Sequence, residues 1–235
     1  MKSHPPITVN LSACELAVSA DAVARYAGGV RYQMAVPHKQ LIRAGIDKAS
    51  RLVAPALVYS LYEVISLEGG CARLSNGSLF PLPPGKPDSG VRCLEFCVCT
   101  IGPELEKTVG HLTTAGNVSD GLFLDAAGVA FLEALTRKAH RFLRDFAKQR
   151  LLHSSYGIRP GCSKMNISAQ RQLFDLVDAS LIGMKLNESC LMIPAKSLSF
   201  FTKWTTSKAA EDMGGECASC ELSNCIYRGT ETIDQ

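Results

Sequence analysis

An α+β fold, built on a twisted, largely antiparallel sheet with one long buried helix, is predicted by three features of this 235-residue chain. Strand-like and helix-like segments are interspersed without the strict alternation that builds a doubly wound parallel sheet. The dipeptide Asn76-Gly77 between apolar flanks marks a tight hairpin, the connection of antiparallel neighbours. The stretch 119–151 reads as one continuous helix. Its first half, Gly121 to Leu135, is apolar on nearly every side and is expected in the interior.

The remaining elements follow in order. Residues 7–11, Ile-Thr-Val-Asn-Leu, read as a strand, and 20–27 as a helix stopped by Gly28-Gly29, since glycine readily terminates helices. From His38 to Val53, Leu41, Ile42, Ile46, Ala49, Leu52 and Val53 recur at helical spacing, and Pro55 disfavours continuation. Residues 56–67 have the Val, Leu, Tyr and Ile content of a strand. The hairpin occupies 71–82, and four prolines with a glycine make Pro81 to Pro87 a loop. A second apolar strand follows at 91–100. Gly102-Pro103 then opens a helix whose first turn carries Glu104 and Glu106, where the helix dipole favours acids. The second half of the long helix carries Arg137, Lys138, Arg141, Arg144, Lys148 and Arg150, a solvated basic face. After the glycine-containing break from Tyr156 to Cys162, residues 167–179 form a short helix with Asn166 or Ser168 available as cap. Strands and loops run from Gly183 to Trp204. No internal repeat is present. The organisation expected is one domain over 1–205 and a polar tail over 206–235, with Gly214-Gly215 as a hinge.

Composition narrows the function classes. Hydrophobic residues at 46% and charged residues at 20% are ordinary for a soluble globular protein. A net charge of +3, with basic residues scattered, argues against nucleic acid as partner. No apolar run reaches the roughly 18 residues that cross a bilayer, and the first residues lack the apolar core of a signal peptide. A cytoplasmic protein without a membrane partner is expected.

Ten cysteines fall into two groups. Cys93, Cys97 and Cys99 lie in the apolar strand and, with Cys14 and Cys71, read as structural thiols, because free cysteine packs like a small hydrophobe. Cys217, Cys220 and Cys225 form a Cys-x2-Cys-x4-Cys cluster that can turn three thiolates on one metal. Structural zinc prefers four ligands, usually as two separated pairs; no histidine follows His153 and no second Cys-x2-Cys pair exists. An iron–sulfur cluster accepts such spacings with one remote ligand, for which Cys190 and Cys162 are the candidates. Zinc and unliganded thiols stay as alternatives.

Two acids, Asp125 and Glu133, interrupt the apolar half of the long helix, and each needs a structural partner or a ligand. The turn Arg159-Pro160-Gly161-Cys162 feeds a helix and could receive a carboxylate or phosphate, or could be an ordinary connecting loop.

Several stretches in register carry a resemblance. They are Thr100-Ile101-Gly102-Pro103-Glu104-Leu105-Glu106, Leu124-Asp125-Ala126-Ala127-Gly128-Val129-Ala130 with Glu133, and Arg159-Pro160-Gly161. Downstream come Gln170-x-x-Leu173-Phe174, Ile182 to Ser189, and Met192-x-Pro194-x-Lys196-Ser197-x-Ser199. In order and spacing they resemble the activation (S-adenosylmethionine-binding) domain of vitamin B12-dependent methionine synthase. The likeness is greatest to free-standing bacterial relatives, some of which end in a cysteine cluster followed by arginine, as Cys225-x2-Arg228 does here. The resemblance spans nearly the whole chain. It implies reductive reactivation of a corrinoid: cob(II)alamin, formed when cob(I)alamin is occasionally oxidised, is restored by an electron and a methyl group. Glu133 matches the acid that meets the ligand's ammonium group, and Arg159 the arginine that binds its carboxylate. Here Arg159 abuts Pro160, and Cys162 stands where the family carries tyrosine. Gly161, Lys196 and Ser197 complete the cofactor-binding set that the resemblance implies.

Joined to the cysteine cluster, the expected function is delivery of a low-potential electron from an iron–sulfur cluster of the 4Fe–4S type. Cys217, Cys220, Cys225 and Cys190 would hold it, and the acceptor would be the corrinoid of a methionine synthase or related methyltransferase. A ferredoxin or flavodoxin is the expected electron donor. The alternatives are an S-adenosylmethionine-binding activation subunit with structural cysteines, and a non-catalytic module that binds a corrinoid protein.

Overall fold

The structure is a computed structural model that describes residues 4–29, 36–84, 90–162 and 165–207. In chain order, β1 (His4–Asn10), α1 (Ala20–Gly28) and α2 (Val36–Leu52) precede the long strand β2 (Ala56–Glu68). The hairpin β3 (Cys71–Leu74) and β4 (Leu79–Pro81) follows, then β5 (Val91–Thr100), α3 (Glu104–Thr114) and α4 (Val118–Lys148). The last elements are β6 (His153–Ser154), α5 (Ala169–Val177), the two-residue strands β7 (Lys185–Leu186) and β8 (Met192–Ile193), and β9 (Ser197–Thr205). Every element expected from the sequence forms, with ends displaced by up to three residues.

Seven strands make one antiparallel sheet in the order β4-β3-β2-β5-β9-β6, with β1 also paired to β2. β2 is long enough to hold two partners on one edge. Its first half pairs with β1, from Ala56 opposite Asn10 to Leu61 opposite His4, and its second half pairs with β3. Its other edge takes β5 from Thr100 back to Cys93. β7 and β8 form a separate ribbon.

Both faces of the sheet are covered, which explains why β5 reads as a continuous apolar run rather than an alternating one. Cys97, Cys99, Leu57, Tyr59 and Phe200 turn toward α4, which the other helices of that layer, α1, α2 and α3, pack against. Val58, Leu94, Phe96, Val98 and Phe201 turn toward α5 and meet Leu173, Phe174 and Val177. On that face Phe80 stands edge-on to Phe96 and Phe201, with ring centroids 4.7 and 5.0 Å apart.

The apolar half of α4 is interior, as its composition requires: Phe123, Leu124, Ala126, Ala127, Ala130, Phe131, Ala134 and Leu135 are buried. Small residues let the helices close on it. A Cβ at Gly45 of α2 would sit 2.9 Å from the Phe123 carbonyl oxygen, and one at Gly128 would sit 2.6 Å from Leu105 of α3. Cys93, Cys97 and Cys99 are buried, but Cys14 is exposed, its sulfur 2.9 Å from the Ser12 hydroxyl in a one-turn helix. Cys71 is half-buried where the outer hairpin begins. No helix among the described residues is long and apolar enough to cross a membrane.

Candidate functional site

Glu133 lies on α4, and Arg159 belongs to the segment that follows β6. Glu133 projects from α4 toward α1, where Arg137 Nη1 donates to its Oε1 at 3.1 Å and Arg25 Nη2 lies 3.6 Å from Oε2. Oε2 is buried with Arg25 beside it, and the Tyr26 hydroxyl hydrogen-bonds the Glu133 carboxylate. Burial first, and then the Glu133 charge, push the neighbouring Tyr26 phenol up to about 12. The segment holding Arg159 is pinned to β9 where Ile158 bridges to Phe201, and to α4 where Gly157 meets His140. The Arg159 charge bears on both the Cys99 thiol of β5 and the His140 ring of α4.

His140 and Gly157 seat that segment. The imidazole stacks on Phe200 with centroids 3.9 Å apart, and any Cβ at Gly157 would collide with the ring. Burial, with Arg159 and Arg144 nearby, pushes His140 down to about 3, so the ring is neutral. Thr136, one turn before it, donates to the Leu132 carbonyl at 2.8 Å and lies 3.7 Å from Cys99 Sγ. Burial drives Cys99 up to about 11, which keeps it a thiol.

Gly161 has φ +88°, a conformation that suits glycine, and a Cβ there would press within 3.0 Å of Ile167. The turn uses its own amides: Gly161 N–H donates to the Met165 carbonyl and Cys162 N–H to the Arg159 carbonyl. In this turn the Arg159 side chain, rather than a nest of free backbone donors, is the group suited to an anion.

Lys196 and Ser197 lie further toward the start of α4 and are engaged internally. Lys196 Nζ is 2.7 Å from Asp125 Oδ1, and its chain crosses Gly128. Glu106 Oε2 accepts from the N–H groups of Ala195 and Lys196 at 2.9 and 3.4 Å. Ser197 Oγ donates to Thr100 Oγ1 at 2.8 Å and lies 3.1 Å from Met184 Sδ. These contacts tie the start of β9 to α3, α4 and β5. Both buried-helix acids thus have structural partners: Lys196 for Asp125, and Arg25 with Arg137 for Glu133.

Cys190 is buried on the α5 side of the sheet. Its carbonyl accepts from Gln170 Nε2 at 2.6 Å, and Gln170 Oε1 accepts from Ser199 Oγ at 3.0 Å. Cys162 is exposed beside Arg159. Cys217, Cys220 and Cys225 lie outside the described residues, among which no group of three metal-ligating side chains occurs. A groove of about 520 Å³ lined by Arg171, Phe174, Asp178, Met184 and Lys185 opens on the α5 side, away from Glu133.

Sequence reasoning missed two groups. His140 falls seven residues after Glu133, two helical turns along the same face, and that spacing could have found it. Glu95 sits between apolar neighbours in β5 and is fully buried, with Thr202 Oγ1 and Trp204 Nε1 donating to its Oε2 at 3.0 and 3.2 Å.

No protein-family model matches the chain, and no curated protein matches it by sequence. Among solved structures, the crystal structure of the MetH reactivation domain bound to AdoHcy aligns with a TM-score of 0.59 at 13% identity. The alignment covers 86% of this chain and 79% of that one. The chain is therefore similar in fold to the MetH reactivation domain, a mixed helix-and-sheet architecture around a curled antiparallel sheet.

Proposed function

We propose that this chain reactivates a corrinoid-dependent methyltransferase, a methionine synthase or a relative. It docks over the partner's corrinoid and delivers a low-potential electron, while the Glu133–Arg159 flank receives S-adenosylmethionine. The observation that carries the reading is the fold likeness to the MetH reactivation domain over 86% of the chain. That neighbour was crystallised with AdoHcy, the demethylated form of the methyl donor.

The residues of the flank fit the amino-acid end of such a ligand. An ammonium group needs a carboxylate, and Glu133 supplies one from α4. A carboxylate suits the planar fork of a guanidinium, which Arg159 supplies from the adjoining segment. Acid and base on separate elements distinguish the two ends of a zwitterion. When bound, S-adenosylmethionine supplies an electrophilic methyl group; this chain's part is to orient it.

For the electron, Cys217, Cys220 and Cys225 are the proposed cluster ligands. Of the two candidates for the fourth thiolate, the exposure of Cys162 favours it over the buried Cys190. Such a cluster, when bound, supplies one-electron transfer at potentials spanning about −700 to +450 mV. A ferredoxin or flavodoxin is the proposed source of that electron.

Two measurements test the two arms. Calorimetry of the full chain with AdoHcy should show binding, weakened at least about tenfold by Glu133→Ala, a loss of ~1.4 kcal/mol or more; wild-type protein that binds nothing removes the S-adenosylmethionine arm. Oxygen-free preparations should be brown and carry iron and sulfide, and Cys220→Ser should bleach them. Colourless, iron-free protein removes the electron arm and leaves a corrinoid-protein-binding module.

A further inference from the structure

Charge is divided unevenly along this chain. Residues 208–235 hold six carboxylates, Glu211, Asp212, Glu216, Glu221, Glu231 and Asp234, against two cations, Lys208 and Arg228. Residues 1–207 hold the other 23 Lys and Arg against 16 Asp and Glu. A modest net charge thus conceals a basic body and an acidic tail.

The body concentrates part of its excess in one row. Arg137, Arg141, Arg144 and Lys148 recur at i, i+4, i+7 and i+11 on α4, a spacing that aligns them along one side of the helix. Arg137 is taken by Glu133, whereas Arg141, Arg144 and Lys148 make no ion pair with a described carboxylate. Arg144 is half-buried, and a guanidinium withdrawn from water without a counter-charge is costly. His140 lies beside the row and faces Phe200, so the row runs along the β9 side of α4, toward Arg159.

The described chain ends near the Lys148 end of this row. β9 ends at Thr205, which pairs with His153, and the Trp204 ring stands 5.6 Å from Phe146. Leu152 N–H donates to the Ala147 carbonyl, which folds the end of α4 back toward the same strand. Ser207 therefore emerges beside the last turn of α4. From Lys148 to Arg137 is about 16 Å along the helix axis, and the ten residues from Ser207 to Cys217 reach at most about 35 Å. The tether is long enough.

We propose that residues 208–221 of this same chain dock along the α4 row, with Glu211, Asp212 and Glu216 against Lys148, Arg144 and Arg141. Tethering selects this occupant over a free polyanion, because a linked segment acts at millimolar effective concentration. Docked this way, Cys217 and Cys220 are carried toward the turn that holds Arg159 and Cys162. The docking rests on charge and chain connection, and it holds whether or not the thiols carry metal and whether or not the flank binds a ligand.

The test uses the full chain at low salt. Carbodiimide cross-linking should join Lys148 to Glu211, Asp212 or Glu216, and the linkage should fade toward 1 M salt, where the Debye length falls to about 3 Å. In a charge-swap cycle, Arg141→Glu with Arg144→Glu should speed cleavage at Glu221 by a Glu-specific protease roughly fivefold, and adding Glu211→Lys with Asp212→Lys should restore slow cleavage. Circular dichroism matching the wild type keeps unfolding out of the comparison. Three results overturn the proposal: cleavage indifferent to the swaps, cross-links that join two isotopically distinct copies, or an added acidic protein or oligonucleotide held by the row while the tail's cleavage stays slow.

Discussion

Burial of Glu95 in the middle of β5 pushes its carboxyl up to about 8, against an ordinary value of 4.5. The native state therefore keeps a proton between pH ~4.5 and ~8 that the unfolded chain has released, and the stability Glu95 contributes falls as pH rises through that window, by at most about 1.4 kcal/mol per pH unit. Glu95→Gln, which cannot titrate, should flatten the decline in urea unfolding followed from pH ~6.5 to ~8, where no opposing titration of His140 masks it; an unchanged slope would assign the dependence elsewhere. His140 acts in the opposite sense. With its native value near 3, it refuses a proton that the unfolded chain takes up below pH ~6.5, so its contribution to stability is lost as pH falls. Neither group announced itself in the sequence. A glutamate between cysteines in an apolar run reads like an outward-facing residue until the strand is known to be covered on both sides. The acids of α4 were easier, because a carboxylate in an apolar helix must have a reason; which cations answered them depended on contacts across the fold.

Close approach of helices, rather than propensity, decides what α4 tolerates. Gly45 and Gly128 are the positions where backbone or a leucine side chain fills the space a Cβ would need. Gly45→Val should destabilise by about 1–3 kcal/mol through overpacking against the Phe123 carbonyl. Calorimetric melting should register it as a Tm lowered by about 2–4 °C per kcal/mol at this chain length. A smaller effect is expected from Asp125→Asn, whose half-exposed pair with Lys196 is screened by water. Element limits were legible because helical periodicity, the Gly-Pro start of α3 and the Asn-Gly hairpin are local signals. The start of α5 at Ala169 rather than residue 167 was not: Asn166 Oδ1 accepts from Ser168 N–H and holds the preceding residues in a turn. Its end comes at Asp178, which adopts the left-handed region at φ +50°.

At the scale of the molecule, sheet order was beyond reach of the sequence because strand pairing is non-local. Nothing in the residues of β1 shows that it shares one edge of β2 with β3, or that β9 lies beside β5 across almost a hundred residues. The opposed titrations of Glu95 and His140 also meet at this scale. Between pH ~4.5 and ~6.5 their slopes oppose each other, so stability should be greatest and nearly level there, and should decline above ~6.5 as Glu95 acts alone. A maximum displaced above pH 8 in chemical unfolding would contradict that balance. The covering of β5 on both sides carries a last consequence for how this chain can vary. Because successive side chains point to opposite layers, one residue inserted ahead of Cys93 would rotate every later position by half a turn. Phe96 would enter the α4 layer, and thiols would take its place among the rings on the α5 side. Lineages of such a protein should therefore gain and lose residues around the Asn76-Gly77 tip while the length of β5 stays constant.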